Sequence, residues 1–195
     1  MTEVIDILVI MITGLWLFVP AMTPNSNAAL IGKKFGKTKI DFGKTWKGKR
    51  IFGDGKSWVG FFGGAILAIG IGLIQIGIAA AFGATDNYWG FGPFWQNVGV
   101  LATLAFGAML GDLTGAFIKR RLGIERGAKA PILDQYDFVI GAVILTVIFF
   151  PNFLIDNYIA GDHIWATIFV IPMIWIIHRG VNIIGYKLHV KNVPW

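Results

Sequence analysis

The sequence predicts an all-α integral membrane protein with five transmembrane helices, and three observations support this fold class. Of its 195 residues, 55% are hydrophobic and only 14% are charged, whereas soluble domains carry about 25% charged residues. Long uncharged stretches recur along the chain, and about 20 mostly apolar residues suffice to cross a bilayer as a helix. The basic residues cluster in some connecting segments and are absent from others.

The boundaries of the five spans follow from the uncharged stretches. The predicted spans are residues 4–23, 58–83, 95–118, 134–153 and 163–185. A soluble helical bundle would carry polar residues at helical spacing on one face, yet the stretch Ser57–Thr85 has only Gln75 in its interior. No linker or long repeat divides the chain, so residues 1–195 are interpreted as a single membrane-embedded domain. The absence of cysteine excludes thiol catalysis and cysteine metal sites.

The distribution of Lys and Arg predicts the orientation in the membrane. Nine of the seventeen basic residues lie at positions 33–56, five at 119–129 and three in the C-terminal tail. With five spans, these three segments fall on one side, which the positive-inside rule makes cytoplasmic. The sequence therefore predicts an N-terminus outside, two basic cytoplasmic loops and a cytoplasmic C-terminus in a multi-pass protein of the cell membrane. The net charge of +6 then indicates anionic small molecules or lipids rather than nucleic acid.

Small residues predict close contacts between helices. Gly99, Thr103, Gly107, Gly111 and Gly115 recur every four residues along the third span. Small residues at this spacing let the backbones of transmembrane helices approach each other. Most of the 26 glycines are explained by this packing role.

Three aspartates on the predicted cytoplasmic side are candidate functional residues. Asp112 lies near the end of the third span, and Asp134 and Asp137 share one face at the start of the fourth. A carboxylate at membrane depth costs roughly 2–3 kcal/mol on insertion scales, so such residues usually mark functional sites. The alternatives are that Asp112 only pairs with Lys119 and that the other two are only an N-cap and a first-turn acid.

A cluster of basic residues accompanies these acids. The three carboxylates form an oxygen ligand set suited to Mg²⁺, and Lys119, Arg120, Arg121 and Arg126 follow Asp112 in the sequence. Carboxylates that hold a metal beside basic side chains are typical of phosphoryl or nucleotidyl transfer. The three histidines show no spacing typical of metal ligands.

The first basic loop is predicted to bind phosphate groups. Its candidate residues are Lys44, Arg50, Gly53, Asp54, Gly55, Lys56 and Ser57. Glycines let backbone amides approach a phosphate, and Ser57 precedes a helix whose N-terminus attracts anions. A Walker A loop is excluded, because Arg50 occupies the position of its first glycine. The alternative for the basic residues is orientation and adhesion to anionic lipid. Trp46 either stacks on a nucleotide base or packs against the protein.

The motifs resemble those of a known enzyme superfamily. Gly111-Asp112-Leu113, Lys119-Arg120 and Leu133 through Asp137 resemble the signature of the CTP-dependent phosphatidate cytidylyltransferases. With Asp41-Phe42-Gly43, Gly53 through Lys56, Arg126-Gly127 and Pro131 added, the chain resembles over essentially its full length the archaeal branch, the CDP-archaeol synthase family.

The resemblance implies a reaction and roles for the candidate residues. An ether-lipid phosphate, 2,3-bis-O-geranylgeranylglycerol 1-phosphate, attacks the α-phosphorus of CTP and gives CDP-archaeol and pyrophosphate. Asp112, Asp134 and Asp137 are expected to hold Mg²⁺, with a second cation left open. Lys119, Arg120 and Arg126 are expected to neutralise the triphosphate, and the first loop to hold nucleotide or lipid phosphate. The implied partners are therefore CTP, an isoprenoid lipid phosphate and the bilayer.

Two other functions are alternatives. A CDP-alcohol phosphotransferase also uses Mg²⁺ and membrane acids, but Asp54-Gly55 is followed here by Lys-Ser-Trp instead of that family's motif. A transporter or cation pathway could be built on Asp112. The acids cluster at one membrane face rather than at the midplane, and the sequence shows no inverted repeat, which argues against transport.

Overall fold

The protein is almost entirely helical. The computed structural model describes residues 2–84, 89–125, 127–190 and 193. Its elements are α1 (Thr2–Met22), α2 (Pro24–Phe35), β1 (Thr45–Trp46), β2 (Lys49–Arg50), α3 (Trp58–Ala81), α4 (Phe94–Arg121), α5 (Pro131–Phe149), α6 (Pro151–Tyr158), a 3₁₀ turn (Gly161–His163) and α7 (Ile164–Lys187).

Within the described residues, five helical segments are long and apolar enough to cross a membrane, which confirms the predicted number of spans. They are Glu3–Phe35, Trp58–Ala81, Phe94–Arg121, Pro131–Phe149 and Gly161–Lys187. Their outward faces carry large apolar side chains such as Ile66, Ile74 and Ile148, as expected for helices whose solvent is lipid. The orientation of the termini and the cytoplasmic side remain predictions from the charge distribution.

The first predicted span is extended by a second helix that the sequence interpretation missed. The prediction ended that span at residue 23, whereas α2 continues from Pro24 to Phe35 and carries Lys33 and Lys34 in its last turn. Proline is well tolerated in the first turn of a helix. α2 packs tightly along α3, where a Cβ at Gly64 would lie 2.6 Å from the carbonyl oxygen of Pro24.

The fourth predicted span ends earlier than expected. The prediction was residues 134–153, whereas α5 covers Pro131–Phe149 and a separate short helix, α6, begins at Pro151. Phe150, between them, leaves the helical conformation, with φ −137° and ψ 58°. The residue before a proline is disfavoured in the helical region, so Pro151 ends α5.

The glycine stripe of the third span makes a close helix contact, as predicted, and the structure shows that the partner of α4 is α5. A Cβ at Gly107 would lie 2.7 Å from the carbonyl oxygen of Gly141, and one at Gly111 would lie 3.0 Å from Cα of Phe138. Side chains would force the two backbones apart at these positions. The stripe therefore fixes the depth at which the start of α5 meets the end of α4.

The two basic loops lie at the same end of the helices, and we call this end the basic end. It comprises residues 36–57, with the β1–β2 hairpin, and residues 122–125 and 127–130. Arg121 joins the loops, because its Nη2 donates to the carbonyl oxygens of Arg50 (2.7 Å) and Lys49 (3.1 Å). Trp46 stacks on Phe117 at a centroid distance of 5.6 Å, so it packs against α4.

Candidate active site

A cavity of about 210 Å³ at the basic end brings together most of the predicted site residues. Seven of them line it: Gly55, Lys56, Ser57, Asp112, Lys119, Asp134 and Asp137. They come from the first loop, the end of α4 and the start of α5. Three carboxylates and two ammonium groups thus share one cavity.

Asp112 is paired with a lysine from the first loop. Lys56 Nζ donates to Asp112 Oδ2, and both side chains are partly buried, being 25% and 16% exposed. The alternative in which Asp112 pairs with Lys119 is wrong, because Lys119 Nζ instead donates to Asp134 Oδ1 at 2.7 Å. The first pair connects the first loop to α4, and the second connects α4 to α5. Together the two pairs join the elements that form the cavity.

Asp134 also holds the start of α5. Its Oδ2 accepts a hydrogen bond from the backbone N–H of Ala130 at 2.8 Å. The negative charge lies in the first turn of the helix, where the macrodipole stabilises it. Asp134 is thus a first-turn acid rather than the N-cap, which is Ala130, and it combines this structural role with a place in the cavity wall.

Asp137 is the most deeply buried of the three acids, with 7% of its surface exposed. Its Oδ1 accepts from the N–H of Phe138 at 2.7 Å. Among the residues that the structure describes, no cation lies within ion-pairing distance of Asp137. A buried carboxylate without a paired cation is costly, which makes Asp137 a candidate ligand for a bound positive charge.

The absence of a side chain at Gly115 makes room for Asp137. A Cβ at Gly115 would lie 2.8 Å from Cβ of Asp137. The four-residue spacing that predicted helix packing therefore also positions a candidate catalytic residue. Neither the glycine spacing nor the positions of the aspartates alone could predict this contact between Gly115 and Asp137.

Ser57 and the residues before it form the predicted phosphate-binding turn. Ser57 is the N-cap of α3, and its Oγ accepts from the N–H of Gly60 at 3.2 Å. The prediction that this residue opens a helix is confirmed. The N-terminus of α3 therefore points its positive dipole end toward the cavity wall formed by Gly55 and Lys56.

The remaining first-loop candidates lie outside the cavity wall. Arg50 pairs with Asp41 (2.6 Å) and with Asp54 (2.5 Å). Lys44 and Gly53 belong to the same folded loop, and neither lines the cavity. Hence the structure separates the loop into a part that reaches the cavity and a part that supports it.

Asp41 is the centre of that supporting part, and its carboxylate stays ionised at neutral pH. Burial alone would raise its pKa. The hydrogen bonds from Arg50 and from the backbone N–H groups of Gly53, Phe52 and Gly43 together outweigh burial and hold the pKa of this carboxyl well below its usual range.

Arg120 lines a second cavity of about 160 Å³ beside the first. Lys119 and Asp134 line both cavities, and Glu125 lines the second. The Nε of Arg120 is buried and has no hydrogen-bond partner in the described part of the chain. The predicted site residue Arg126 lies outside the described residues.

The sequence interpretation missed polar residues that line the cavity from α7 and α2. His178 and Asn182 stand four residues apart on α7, and Asn25 lies on α2. His178 Nδ1 and Gln135 Oε1, from α5, are 2.8 Å apart. The available signal was the occurrence of polar residues at positions i and i+4 in an otherwise apolar helix.

The donor set of the cavity suits a hard cation such as Mg²⁺, because carboxylate oxygens are the ligands that Mg²⁺ prefers in proteins. In the arrangement described, however, no three His, Cys, Asp or Glu side chains within residues 2–84, 89–125, 127–190 and 193 are grouped closely enough to share an ion. Lysines hold two of the three acids. The Mg²⁺ assignment remains a prediction.

Comparison with known proteins identifies the family. A family model described as "CarS-like: CDP-archaeol synthase" matches residues 5–195. This chain belongs to the CDP-archaeol synthase family. The resemblance read from the sequence motifs is thereby confirmed, and the match spans every residue predicted for the site.

Curated members of the CDP-archaeol synthase family are similar over nearly their whole length. The relative from Methanoculleus marisnigri is 43% identical, over 91% of this chain and 99% of its own. The relative from Picrophilus torridus is 40% identical, over 96% and 98%. The relative from Archaeoglobus fulgidus is 40% identical, over 93% and 96%. All three are named CDP-archaeol synthase, so neither alternative function is favoured.

A solved structure supports the membrane fold of this CDP-archaeol synthase family member. It is described as an intramembrane enzyme for archaeal membrane lipids biosynthesis, and its sequence is 29% identical to this chain. The TM-score is 0.64, over 89% of this chain and 94% of that one. The helical membrane architecture predicted from composition is thus shared with an enzyme that resides in a membrane.

Proposed function

We propose that the protein transfers CMP from CTP to 2,3-bis-O-geranylgeranylglycerol 1-phosphate, which gives CDP-archaeol and pyrophosphate for membrane phospholipid synthesis. The observation that carries the proposal is a cavity that combines three carboxylates with two lysines at one end of an apolar helix bundle. Membership of the CDP-archaeol synthase family supports the same reaction.

The chemistry requires positioning and neutralisation more than proton transfer. An oxygen of the lipid phosphate attacks the α-phosphorus of CTP, a P–O bond forms, and the bond to the β-phosphate breaks to release pyrophosphate. The nucleophile is already anionic, so the reaction requires no general base. Two phosphate-bearing substrates must approach each other, and fixed positive groups lower that repulsion.

Among the described residues of the cavity wall, Lys56 and Lys119 supply positive charge. Each is partly buried and paired with a carboxylate, so each is fixed in place before substrate binds. Arg120, in the adjoining cavity, extends the positive surface toward the leaving pyrophosphate. This arrangement supports electrostatic stabilisation of charge that develops on the transferred group.

Asp112, Asp137 and Asp134 are the residues that would hold Mg²⁺. The ion would supply Lewis-acid neutralisation of the triphosphate. The paired lysines would then exchange their carboxylate partners for phosphate oxygens. Asp137 is the acid best suited to this role, since it is buried and lacks a cation partner among the described residues.

The cavity also has an apolar side that suits a lipid substrate. Ala28, Ala29, Phe61, Met109 and Leu113 line it along with the charged groups. A lipid that entered from the bilayer would keep its chains against these residues and present its phosphate to the lysines. We place this site on the cytoplasmic side, where the positive-inside rule puts the basic end.

The proposal is tested with purified protein in detergent. With Mg²⁺, CTP and the ether-lipid phosphate, we expect formation of a CDP-lipid and release of pyrophosphate, and chelation of the metal should stop both. Asp137→Asn should abolish product without unfolding the protein, because the amide cannot replace the anionic ligand. Asp156→Asn, an exposed acid on α6, is the matched control and should retain activity.

Nucleotide binding provides a second readout that does not depend on turnover. CTP with Mg²⁺ should raise the thermal unfolding temperature more than ATP with Mg²⁺, since ligands that bind only the folded state stabilise it. Full turnover by Asp137→Asn would refute the metal assignment. The absence of CDP-lipid with the unaltered protein, together with equal shifts from both nucleotides, would refute the proposed reaction.

A further inference from the structure

The carboxylate of Asp41 is completely buried, although it belongs to a loop and does not line the cavity. Its Oδ1 accepts from Arg50 Nη2 (2.6 Å) and from the N–H of Gly43 (3.1 Å). Its Oδ2 accepts from Arg50 Nε (3.3 Å) and from the N–H groups of Phe52 (3.1 Å) and Gly53 (3.0 Å). One side chain therefore binds donors from both sides of the β1–β2 hairpin.

The backbone next to Asp41 holds Lys56. The N–H of Ile40 donates to the carbonyl oxygen of Lys56 at 3.0 Å, and the N–H of Lys56 donates to the carbonyl oxygen of Gly53 at 3.4 Å. Both backbone hydrogen bonds of Lys56 thus run to residues that are either adjacent to Asp41 in sequence or bound to its carboxylate. The position of Lys56 depends on the fold around Asp41.

The side chain of Lys56 extends from this fixed backbone into the cavity. Its Nζ donates to Asp112, and both residues line the wall beside Asp137. A lysine has four rotatable bonds in its side chain, and its ammonium group reaches one place reliably only when its backbone is fixed. The loop has no long strand or helix that could provide this fixation, because β1 and β2 have two residues each.

We propose that Asp41 is a positioning residue that folds the first basic loop so that Lys56 is held at Asp112. The inference rests on the proposed function, which gives Lys56 its role toward phosphate. Asp41 itself touches neither substrate nor the cavity and acts only through the loop. The charge of Arg50, shared between Asp41 and Asp54, neutralises the buried carboxylate.

A double-mutant cycle tests whether Asp41 acts through Lys56. Asp41→Asn keeps the size of the side chain, but its amide nitrogen would face N–H donors instead of accepting from them. In the natural background this change should lower kcat/KM for CTP by about tenfold, whereas in a Lys56→Met background it should lower it less than about twofold. The affinity of the same variants for CTP with Mg²⁺ gives a second readout of the cycle, and this measurement does not require that the variants retain activity.

Hydrogen exchange measures the loop directly, without reference to the reaction. Asp41→Asn should speed exchange of the amides of residues 52–56 by a larger factor than exchange of the amides within α3 and α5. Asp156→Asn is again the matched control and should change neither measurement. Exchange of this kind reports local opening rather than global unfolding.

The possible outcomes separate the two proposals. Unchanged exchange over residues 52–56 would overturn the positioning role, as would an equal fold-loss from Asp41→Asn in both Lys56 backgrounds. Faster exchange combined with a loss seen only when Lys56 is present would establish it. Failure of the proposed function would show itself differently, as the absence of CDP-lipid from the unaltered protein.

Discussion

At the scale of single residues, each charged group in the cavity has a distinct environment. Asp112 and Asp134 each hold a lysine, whereas Asp137 is buried with only an N–H donor from Phe138. The removal of one partner of a buried ion pair typically costs about 3–5 kcal/mol, because the other charge is left uncompensated. Substitutions at Lys56 or Lys119 are therefore expected to affect stability as well as activity, and those two effects must be measured separately.

His178 is expected to contribute to substrate binding from α7. His178→Ala should lower kcat/KM by about tenfold, the usual effect of a lost hydrogen bond in a buried site, because it removes a polar wall of the cavity and the contact with Gln135. Steady-state assays with CTP and lipid phosphate varied in turn will measure the effect. The control is His163→Ala, in the 3₁₀ turn Gly161–His163; equal losses from both variants would contradict the prediction.

The sequence predicted the acids of the site but not how they are paired. Asp112, Asp134 and Asp137 stand out because charges are rare in apolar spans, and the structure places all three in one cavity. The partners of Asp112 and of Lys119 could not be inferred, because Lys56 is distant in sequence and reaches Asp112 only through the fold of the loop. No sequence motif marks His178, and only the packing of α7 shows that it lines the cavity.

At the scale of secondary-structure elements, the contact between α4 and α5 positions the site. The four-residue spacing of small residues predicted a close helix contact without naming the partner, and the structure places the stripe against Gly141, Phe138 and Asp137. The ends of elements were predicted less well. The prediction missed α2 because Asn25, Ser26 and Asn27 make the start of this helix polar. It missed the break before α6 because hydropathy windows do not register a break of the backbone at Pro151.

The close contact of α4 with α5 predicts contrasting effects at two glycines. Gly111→Ala should destabilise the protein by about 1–3 kcal/mol, as overpacking does, and should lower activity, since a Cβ there would lie 2.9 Å from the backbone carbonyl carbon of Asp137. Thermal unfolding in detergent and product formation will measure both effects.

The matched control is Gly70→Ala on α3. No heavy atom lies within 4 Å of the Cβ that this change adds, among the neighbours that the structure describes, and alanine favours a helix over glycine by roughly 0.5–1 kcal/mol. Its stability should therefore be equal or higher. Similar destabilisation by the two substitutions would show that the contact between α4 and α5 is not the cause.

At the scale of the whole molecule, charge is separated along the helix bundle. Both basic loops lie at one end, whereas acids such as Asp156 and Asp162 lie in the segments between α5 and α7. The overall net charge of +6 is thus an average over two different ends. The positive-inside rule predicts that the end with the cavity faces the cytoplasm.

Cysteine labelling will test this orientation, and the absence of natural cysteine makes the background clean. Lys47→Cys, in the β1–β2 turn, should react with a membrane-impermeant maleimide only in inverted vesicles or after permeabilisation. Asp156→Cys, on α6, should react in intact cells. The reverse pattern would place the basic end, and with it the cavity, on the outer side.

The two lysine–carboxylate pairs give the ligand-free site its own internal counter-ions. In a region of low dielectric, a triphosphate alone would draw a lysine away from its carboxylate and leave that carboxylate without a counter-ion. A triphosphate that arrived with its metal ion would supply a partner for both groups. If the site binds its substrates as proposed, this exchange of partners would favour the metal–nucleotide complex over the free nucleotide.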